Sequence, residues 1–390
     1  LRPEYSTQCS VPHVDPTIDL SCYSNFKSDA LRRCPKTVPI LQTTCQIGYE
    51  KVNSNGNDIV SLCVGNRWTV DDQFDSACKL ICGEAGSNGE PVPLIFKGTS
   101  TDIKNAPWHV GIYSNNTKAS SSYELICSGS IIHRNIVISA AHCFYNKLLR
   151  KTDDPRQFLI GAGKRFYSYR KSENTEQFVR VQEIHTLRTY DTSLLRNDIA
   201  VLVVTPDFTF TSTVKPVCID WTTYWDYDLE NGTVGHIFGW GANSKDDILT
   251  IELSTASLNA LSSEDCKRLN KKAEVSAESF CAVNDNGASA CKGDSGGGFV
   301  VKRTIGSKER YVLWGIVSSG VANDYCSDGG ITIFTNIQYF QEAIKAIISK
   351  SKPSLSTDNF SKLLYHQIYA HIIYTPLNWA EKELKLNLGP

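Results

Sequence analysis

Fourteen cysteines are spread over this 390-residue chain, and their number is even. Their spacings are irregular and form none of the CxxC pairs of a zinc site. That pattern points to a framework of disulfides, which form and persist in an oxidising compartment. A chain of this length holds two or three domains. Seven of the cysteines fall in residues 1–82, a small, turn-rich stretch. Residues 83–94, Gly-Glu-Ala-Gly-Ser-Asn-Gly-Glu-Pro-Val-Pro-Leu, read as an exposed linker. Between residues 95 and 350 short alternating runs recur, among them Gln157–Gly161, Phe178–Ile184 and Val234–Gly239. They predict an all-β domain, closed by a helix near Tyr339–Lys350. Residues 351–390 form a tail of separate character to which no role is assigned. The net charge of −1 argues against nucleic acid or an anionic membrane surface as the main partner. No apolar run is long enough to span a bilayer. The sequence opens at Leu1 without a secretory leader and reads as a mature form or a fragment of a longer precursor.

One run carries reaction chemistry. Gly293-Asp294-Ser295-Gly296-Gly297 sets a serine among glycines. A serine hydroxyl is a weak nucleophile until a base takes its proton, so the loop requires a histidine and a carboxylate elsewhere. Ile138-Ser139-Ala140-Ala141-His142-Cys143 supplies the first. Asn197-Asp198-Ile199-Ala200-Val201-Leu202 supplies the second. Taken singly, a histidine beside a cysteine or an aspartate before an apolar strand is ordinary structure. The three together, in the order His, Asp, Ser, are not a chance arrangement.

These motifs resemble the chymotrypsin family of serine proteases over residues 95–350. The resemblance implies two six-stranded antiparallel β-barrels with a C-terminal helix. It implies that His142 is the general base for Ser295, that Asp198 holds the imidazole tautomer, and that the N–H groups of Gly293 and Ser295 form the oxyanion hole. It calls for no cofactor and no metal. Ser318 and Gly320, in Ile316-Val317-Ser318-Ser319-Gly320, match the strand that lines the substrate backbone. The family's disulfides would be Cys127–Cys143, Cys266–Cys281, Cys291–Cys326 and Cys82–Cys218.

The same resemblance implies activation by cleavage. Ile95-Phe96-Lys97-Gly98, followed by Ala106-Pro107-Trp108-His109-Val110, looks like the start of a mature domain. A cut between Leu94 and Ile95 would free an α-amino group to pair with Asp294. The carboxylate would then be buried with a partner, and the oxyanion hole would be ordered. The uncut chain is thus expected to be a zymogen, with Cys82–Cys218 keeping the N-terminal part attached. Ser289 stands where trypsin-like enzymes hold an aspartate, so the pocket should take Leu, Phe or Tyr rather than Arg or Lys. Thr332, in Gly329-Gly330-Ile331-Thr332, would make that pocket shallow. Leu94 matches this preference, which suggests self-activation.

Cys45-Gln46-Ile47-Gly48-Tyr49, Cys63-Val64-Gly65-Asn66-Arg67-Trp68 and Cys78 resemble the second half of a sushi (complement control) module. Its pairing would be Cys9–Cys63 and Cys45–Cys78, with an extra Cys22–Cys34. This module, the cut after Leu94, and Gly298 where proline is usual resemble the arthropod modular serine proteases, initiators of Toll and prophenoloxidase cascades. The implied protein is secreted into a haemolymph-like fluid. It would act on a downstream protease zymogen and meet pattern-recognition proteins through the N-terminal module. Two alternatives compete. Ser289 speaks against a complement-type protease with Arg preference, and the intact His142, Asp198 and Ser295 speak against a non-catalytic homologue. The basic run Lys164–Lys171 and the group Lys267, Arg268, Lys271 and Lys272 read as solvated surface, with a substrate exosite as the alternative. Asn115, Asn231 and Asn359 lie in N-glycosylation sequons.

Overall fold

A computed structural model describes residues 9–11, 18–23, 31, 34–38, 40–51, 59–64, 67–68, 78–86, 94–115, 122–221, 229, 231–241, 249–271, 275–284, 289–305, 307–321 and 330–351. Cys326, Gly329, Lys272, Asn359 and the tail beyond Ser351 lie outside the described residues. The chain divides into two compact units, one within residues 1–79 and one over 80–351.

The first unit is a four-stranded antiparallel sheet of Ile18–Tyr23, Ile40–Cys45, Ile59–Val64 and Arg67–Trp68, with a short pair, Cys9–Ser10 and Thr37–Val38. Among the described residues its buried core is small. Cys22, Val38 and Leu41 are packed by Val11, Leu20 and Trp68. A unit this size buries too little apolar surface to be secure alone. Three disulfides, Cys9–Cys63, Cys22–Cys34 and Cys45–Cys78, cross-link it.

The second unit is two closed antiparallel barrels. The first comprises β1 (His109–Ser114), β2 (Glu124–His133), β3 (Ile136–Ser139), β4 (Phe158–Ala162), β5 (Gln177–Thr186) and β6 (Ala200–Thr205). They close in the order β1-β2-β3-β6-β5-β4. The second comprises β7 (Val234–Gly239), β8 (Ser254–Leu261), β9 (Ser279–Val283), β10 (Gly298–Ile305), β11 (Lys308–Val321) and β12 (Ile331–Asn336). They close as β7-β8-β9-β12-β11-β10, the same order repeated. Closure leaves neither barrel with an open edge. The all-β class and two six-stranded barrels expected from the sequence are therefore borne out.

Strand composition follows burial. In β6 all residues from Ala200 to Val204 are buried, because one face fills the barrel and the other meets a helix. That helix, α2 (Gln341–Ser351), and the turn Gln338–Phe340 before it set Ile344 and Phe340 against Ile199 and Val201. A short helix, α1 (Ser263–Leu269), is capped by Ser262, whose hydroxyl accepts from the Asp265 N–H. Its Cys266 is bonded to Cys281.

One expectation is overturned. Lys164, in the basic run read as solvated surface, is fully buried. Its Nζ donates to the Lys171 carbonyl at 2.9 Å and lies 3.5 Å from Glu173 Oε1. Glu173 also accepts from the N–H groups of Arg165 and Phe166, so the ammonium is the internal hub of its own loop.

Leu80–Gly86 belongs to the barrel unit. Cys82 is bonded to Cys218. Gly83 takes φ +67°, and a Cβ there would stand 2.5 Å from the Tyr311 carbonyl oxygen, so only glycine fits. Glu84 is held by Arg310 at 2.8 Å and Lys215 at 3.0 Å. Further on, the uncut strand Leu94–Ser100 pairs with β8.

Candidate active site

The two barrels contribute different parts of one site. Strand β3 ends in a tight turn, Ala141–Cys143, that carries His142. Cys143 is bonded to Cys127 on β2, which fixes that turn. The grouping of Cys127, His142 and Cys143 is not a metal site, since both sulfurs are spent in this bond. Asp198 lies just before β6 and is completely buried. Ser295 lies just before β10, in the second barrel.

Asp198 is held by three donors. The His142 N–H donates to Oδ1 at 2.8 Å, and His142 Nδ1 lies 2.8 Å from Oδ2. Ser318 Oγ donates to Oδ2 at 2.5 Å. A register shift between Val317 and Ser319 makes Ser318 the extra residue of a β-bulge in β11, the kind of irregularity that re-aims a side chain. Thr335 Oγ1 donates to the Asp198 carbonyl at 2.9 Å. These donors fix the buried carboxylate in place. It orients the ring with Nε2 left free to accept a proton. Among the described residues no hydrogen bond joins Ser295 Oγ to the ring, and such bonds commonly tighten only when substrate binds.

The serine loop is pinned to the first barrel. The Ser128 N–H donates to the Ser295 carbonyl at 2.7 Å, and Ser128 Oγ donates to the Gly293 carbonyl at 2.8 Å. Gly293 and Gly296 take φ +97° and +81°. A Cβ at Gly296 would fall 2.1 Å from Ser139 Oγ, so the loop can close only on glycine. The Gly293 and Ser295 N–H groups donate to no backbone acceptor among the described residues. These are the two N–H groups expected to serve a developing oxyanion once the chain is cut.

Asp294 points away from this face into a slot lined by backbone. The Gly241 N–H donates to Oδ1 at 2.8 Å and the Cys291 N–H to Oδ2 at 3.0 Å. A Cβ at Gly239 or Gly241 would meet the carboxylate at 1.9 or 2.0 Å. No cation lies within ion-pair distance of Asp294 among the described residues. Burial pushes its carboxyl up to about 7, against the two N–H bonds that favour the anion. Cys291, next to this slot, is disulfide-bonded.

Of the residues expected to line the substrate pocket, Ser289 and Thr332 are buried and Gly320 is exposed. Thr332 pairs with Gly320 across β11–β12, and its Oγ1 accepts from the Ala290 N–H at 3.1 Å. The Thr332 side chain is therefore directed at the segment that carries Ser289, and none of these residues is a carboxylate. Thr332→Gly is expected to deepen the pocket. A peptide panel should show kcat/KM for Phe and Tyr rising against Leu by about tenfold, the scale of one or two methylene-sized gaps. An unchanged ranking would remove Thr332 from the pocket.

Sequence motifs pointed to His142, Asp198, Ser295, Asp294 and Ser318. They missed Ser128, Thr335 and the Ser318–Asp198 bond. Ser128 lies in the run Ser128-Gly129-Ser130, but a lone serine in a strand carries no signal of what it clamps.

A nucleophilic serine, an imidazole and a buried carboxylate at the meeting of two like barrels define a serine endopeptidase of chymotrypsin-like fold. The chain belongs to the trypsin family, whose sequence profile matches residues 95–344. Among curated relatives, clotting factor C of Tachypleus tridentatus is 32% identical over 287 residues, covering 70% of this chain and 27% of that protein. The modular serine protease of Drosophila melanogaster is 28% identical, covering 70% of this chain and 43% of that protein. Mannan-binding lectin serine protease 1 of Rattus norvegicus is 26% identical over 295 residues, with 72% and 39% covered. The chain thus spans less than half the length of each of these relatives. No helix among the described residues is long and apolar enough to cross a membrane.

Proposed function

We propose that this chain is a secreted protease zymogen that activates itself by cutting between Leu94 and Ile95. It then cuts a downstream protease zymogen after an apolar residue, in an innate-immune cascade. In this reading His142 is the base, Asp198 its positioning partner, Ser295 the nucleophile, and Gly293 and Ser295 the oxyanion donors. Ser289, Ser318, Gly320 and Thr332 form the substrate pocket. The N-terminal unit is a sushi-like module that meets recognition proteins. Its cysteine pairs and those of the barrel unit suit an extracellular fluid. The exposed Asn115 and Asn231 suit N-linked sugars.

One observation carries the specificity. The buried pocket residues Ser289 and Thr332 are uncharged, and the residue before Ile95 is itself apolar. Among the described pocket residues a guanidinium or ammonium would find no carboxylate to pair with. The relatives' printed names, a clotting factor and a modular serine protease, suit a cascade role.

The test is incubation of the purified chain alone, with N-terminal sequencing of new fragments beside a Ser295→Ala control. A new chain beginning at Ile95 in the wild type only is the expected result. No cut in either chain would remove self-activation and leave a zymogen that awaits another protease.

A further inference from the structure

The hairpin that follows His142 has an unusual tip. Tyr145–Asn146 pairs with Lys151–Thr152, and the turn between them is Lys147-Leu148-Leu149-Arg150. Leu148 is 95% exposed and Leu149 62%. The turn is built. The N–H groups of Leu148 and Leu149 both donate to Asn146 Oδ1, at 3.1 and 3.0 Å. Arg150 takes φ +50° to bring the chain back. The base is fixed by the Asp153 N–H to the Phe144 carbonyl at 2.8 Å, and by Tyr145 packed edge-on to Tyr190 with ring centres 5.2 Å apart. An apolar pair held in water by an ordered turn is unfavourable until something covers it.

The rim of this tip is cationic. Lys147, Arg150 and Lys151 are exposed, and none is within ion-pair distance of a carboxylate among the described residues. A fitting occupant is an extended segment with apolar residues and an acid. The chain's own sequence before the cut has that composition: Glu90-Pro91-Val92-Pro93-Leu94. As a peptide, a Pro-Val-Pro sequence favours extended forms, which lowers the ordering cost of binding.

We propose that the tip Lys147–Lys151 docks Glu90–Leu94 of a second copy of this chain, with Leu148 and Leu149 covered by Val92 and Pro93 and the cations facing Glu90. The inference rests on the reading that Leu94–Ile95 is cut between molecules. The tip springs from the turn that carries His142, so a segment held there is delivered beside the catalytic pair. Covering one leucine is worth about tenfold in affinity or more.

The test uses the full chain with Leu148→Ser/Leu149→Ser or Lys147→Glu/Lys151→Glu. All four positions are exposed, so the fold is not at stake. Leu94→Arg chains opened by added trypsin give each enzyme in its cut form. With an uncut Ser295→Ala chain as substrate, both variants should process it at least about tenfold more slowly than the parent. Labelling of their Ser295 by a small fluorophosphonate should keep the parent rate. A peptide of residues 86–94 should bind the Ser295→Ala chain, weaken with either tip variant, and regain binding to the Lys151→Glu form when its Glu90 is replaced by Lys. Peptide binding and processing unaffected by the tip variants would overturn the proposal. If the parent labels but never cuts the Ser295→Ala chain, self-cleavage fails, and the peptide measurement still decides the docking. Sedimentation with phosphatidylglycerol vesicles covers the remaining case. Vesicle binding lost in the variants while peptide binding stays would make the tip a lipid contact instead.

Discussion

Asp198→Asn should lower kcat by about ten-thousandfold while leaving the fold intact. The effect follows from which oxygen of Asp198 faces which donor. Oδ1 accepts from the His142 backbone N–H at 2.8 Å, and a backbone N–H cannot become an acceptor. An asparagine must therefore keep its carbonyl oxygen there and turn its NH2 toward His142 Nδ1 and Ser318. The Ser318 hydroxyl can rotate to accept. The ring can accept at Nδ1 only by carrying its proton on Nε2, and that tautomer cannot take the Ser295 proton. Leu94→Arg chains opened by trypsin give parent and variant the same start. The rate of fluorophosphonate labelling of Ser295 then reads the loss. A labelling rate near the parent's would mean that Asp198 does not set the tautomer. Ser318→Ala should cost far less, because it removes one donor from a carboxylate that keeps two others.

What the sequence made legible was the chemistry that tolerates no other residue type. A nucleophile, a base and a carboxylate must be Ser, His and Asp in a few arrangements, so His142, Asp198 and Ser295 announce themselves. The glycines of the serine loop do too, since Gly296 has no room for a Cβ. The supporting contacts did not, for a physical reason. Ser128 and Gly293 are 165 residues apart, and Ser318 and Asp198 are 120 apart. These pairs meet only through barrel closure and one bulge, neither of which leaves a local pattern. Burial of charge is equally invisible along the chain. Lys164 looks like its solvated neighbours until Glu173 is seen folding back over it. Leu148 and Leu149 fail in the opposite sense, since two adjacent leucines suggest core and a hairpin holds them in water.

Asp294→Asn should separate the cut chain from the uncut one by two different effects. In the uncut chain the Asp294 carboxyl is pushed up to about 7 from an ordinary 3.8, so between those pH values the folded form holds a proton that the unfolded chain has released. Stability contributed by this group is present at low pH and is lost as pH rises through that window. A shift of that size is worth on the order of 4 kcal/mol. The uncut Asn variant carries no such titration, and its NH2 meets one of the Gly241 and Cys291 N–H donors at every pH, so from pH 4 to pH 8 its stability should stay level at this site while the parent's falls. Two buried histidines run the other way. His109 is pushed down to about 3 and His236 to about 4, so their contribution is lost as pH falls. They are common to both chains and cancel in the difference, which is why the comparison is with the variant and not with the parent at another pH. Cleavage should turn the same substitution into a loss of activity. The new ammonium of Ile95 has a carboxylate to meet only in the parent, and Asp294 sits between Gly293 and Ser295, the two residues proposed as oxyanion donors. The cut Asn variant should lose at least about a hundredfold in kcat, the weight of one such donor, while its trypsin cut proceeds normally. Denaturant titrations of both uncut chains from pH 4 to 8, with peptide turnover after the cut, read both effects. A parallel pair of stability curves would mean that Asp294 is already charged and paired in the uncut chain, and that cleavage switches the enzyme on by another route.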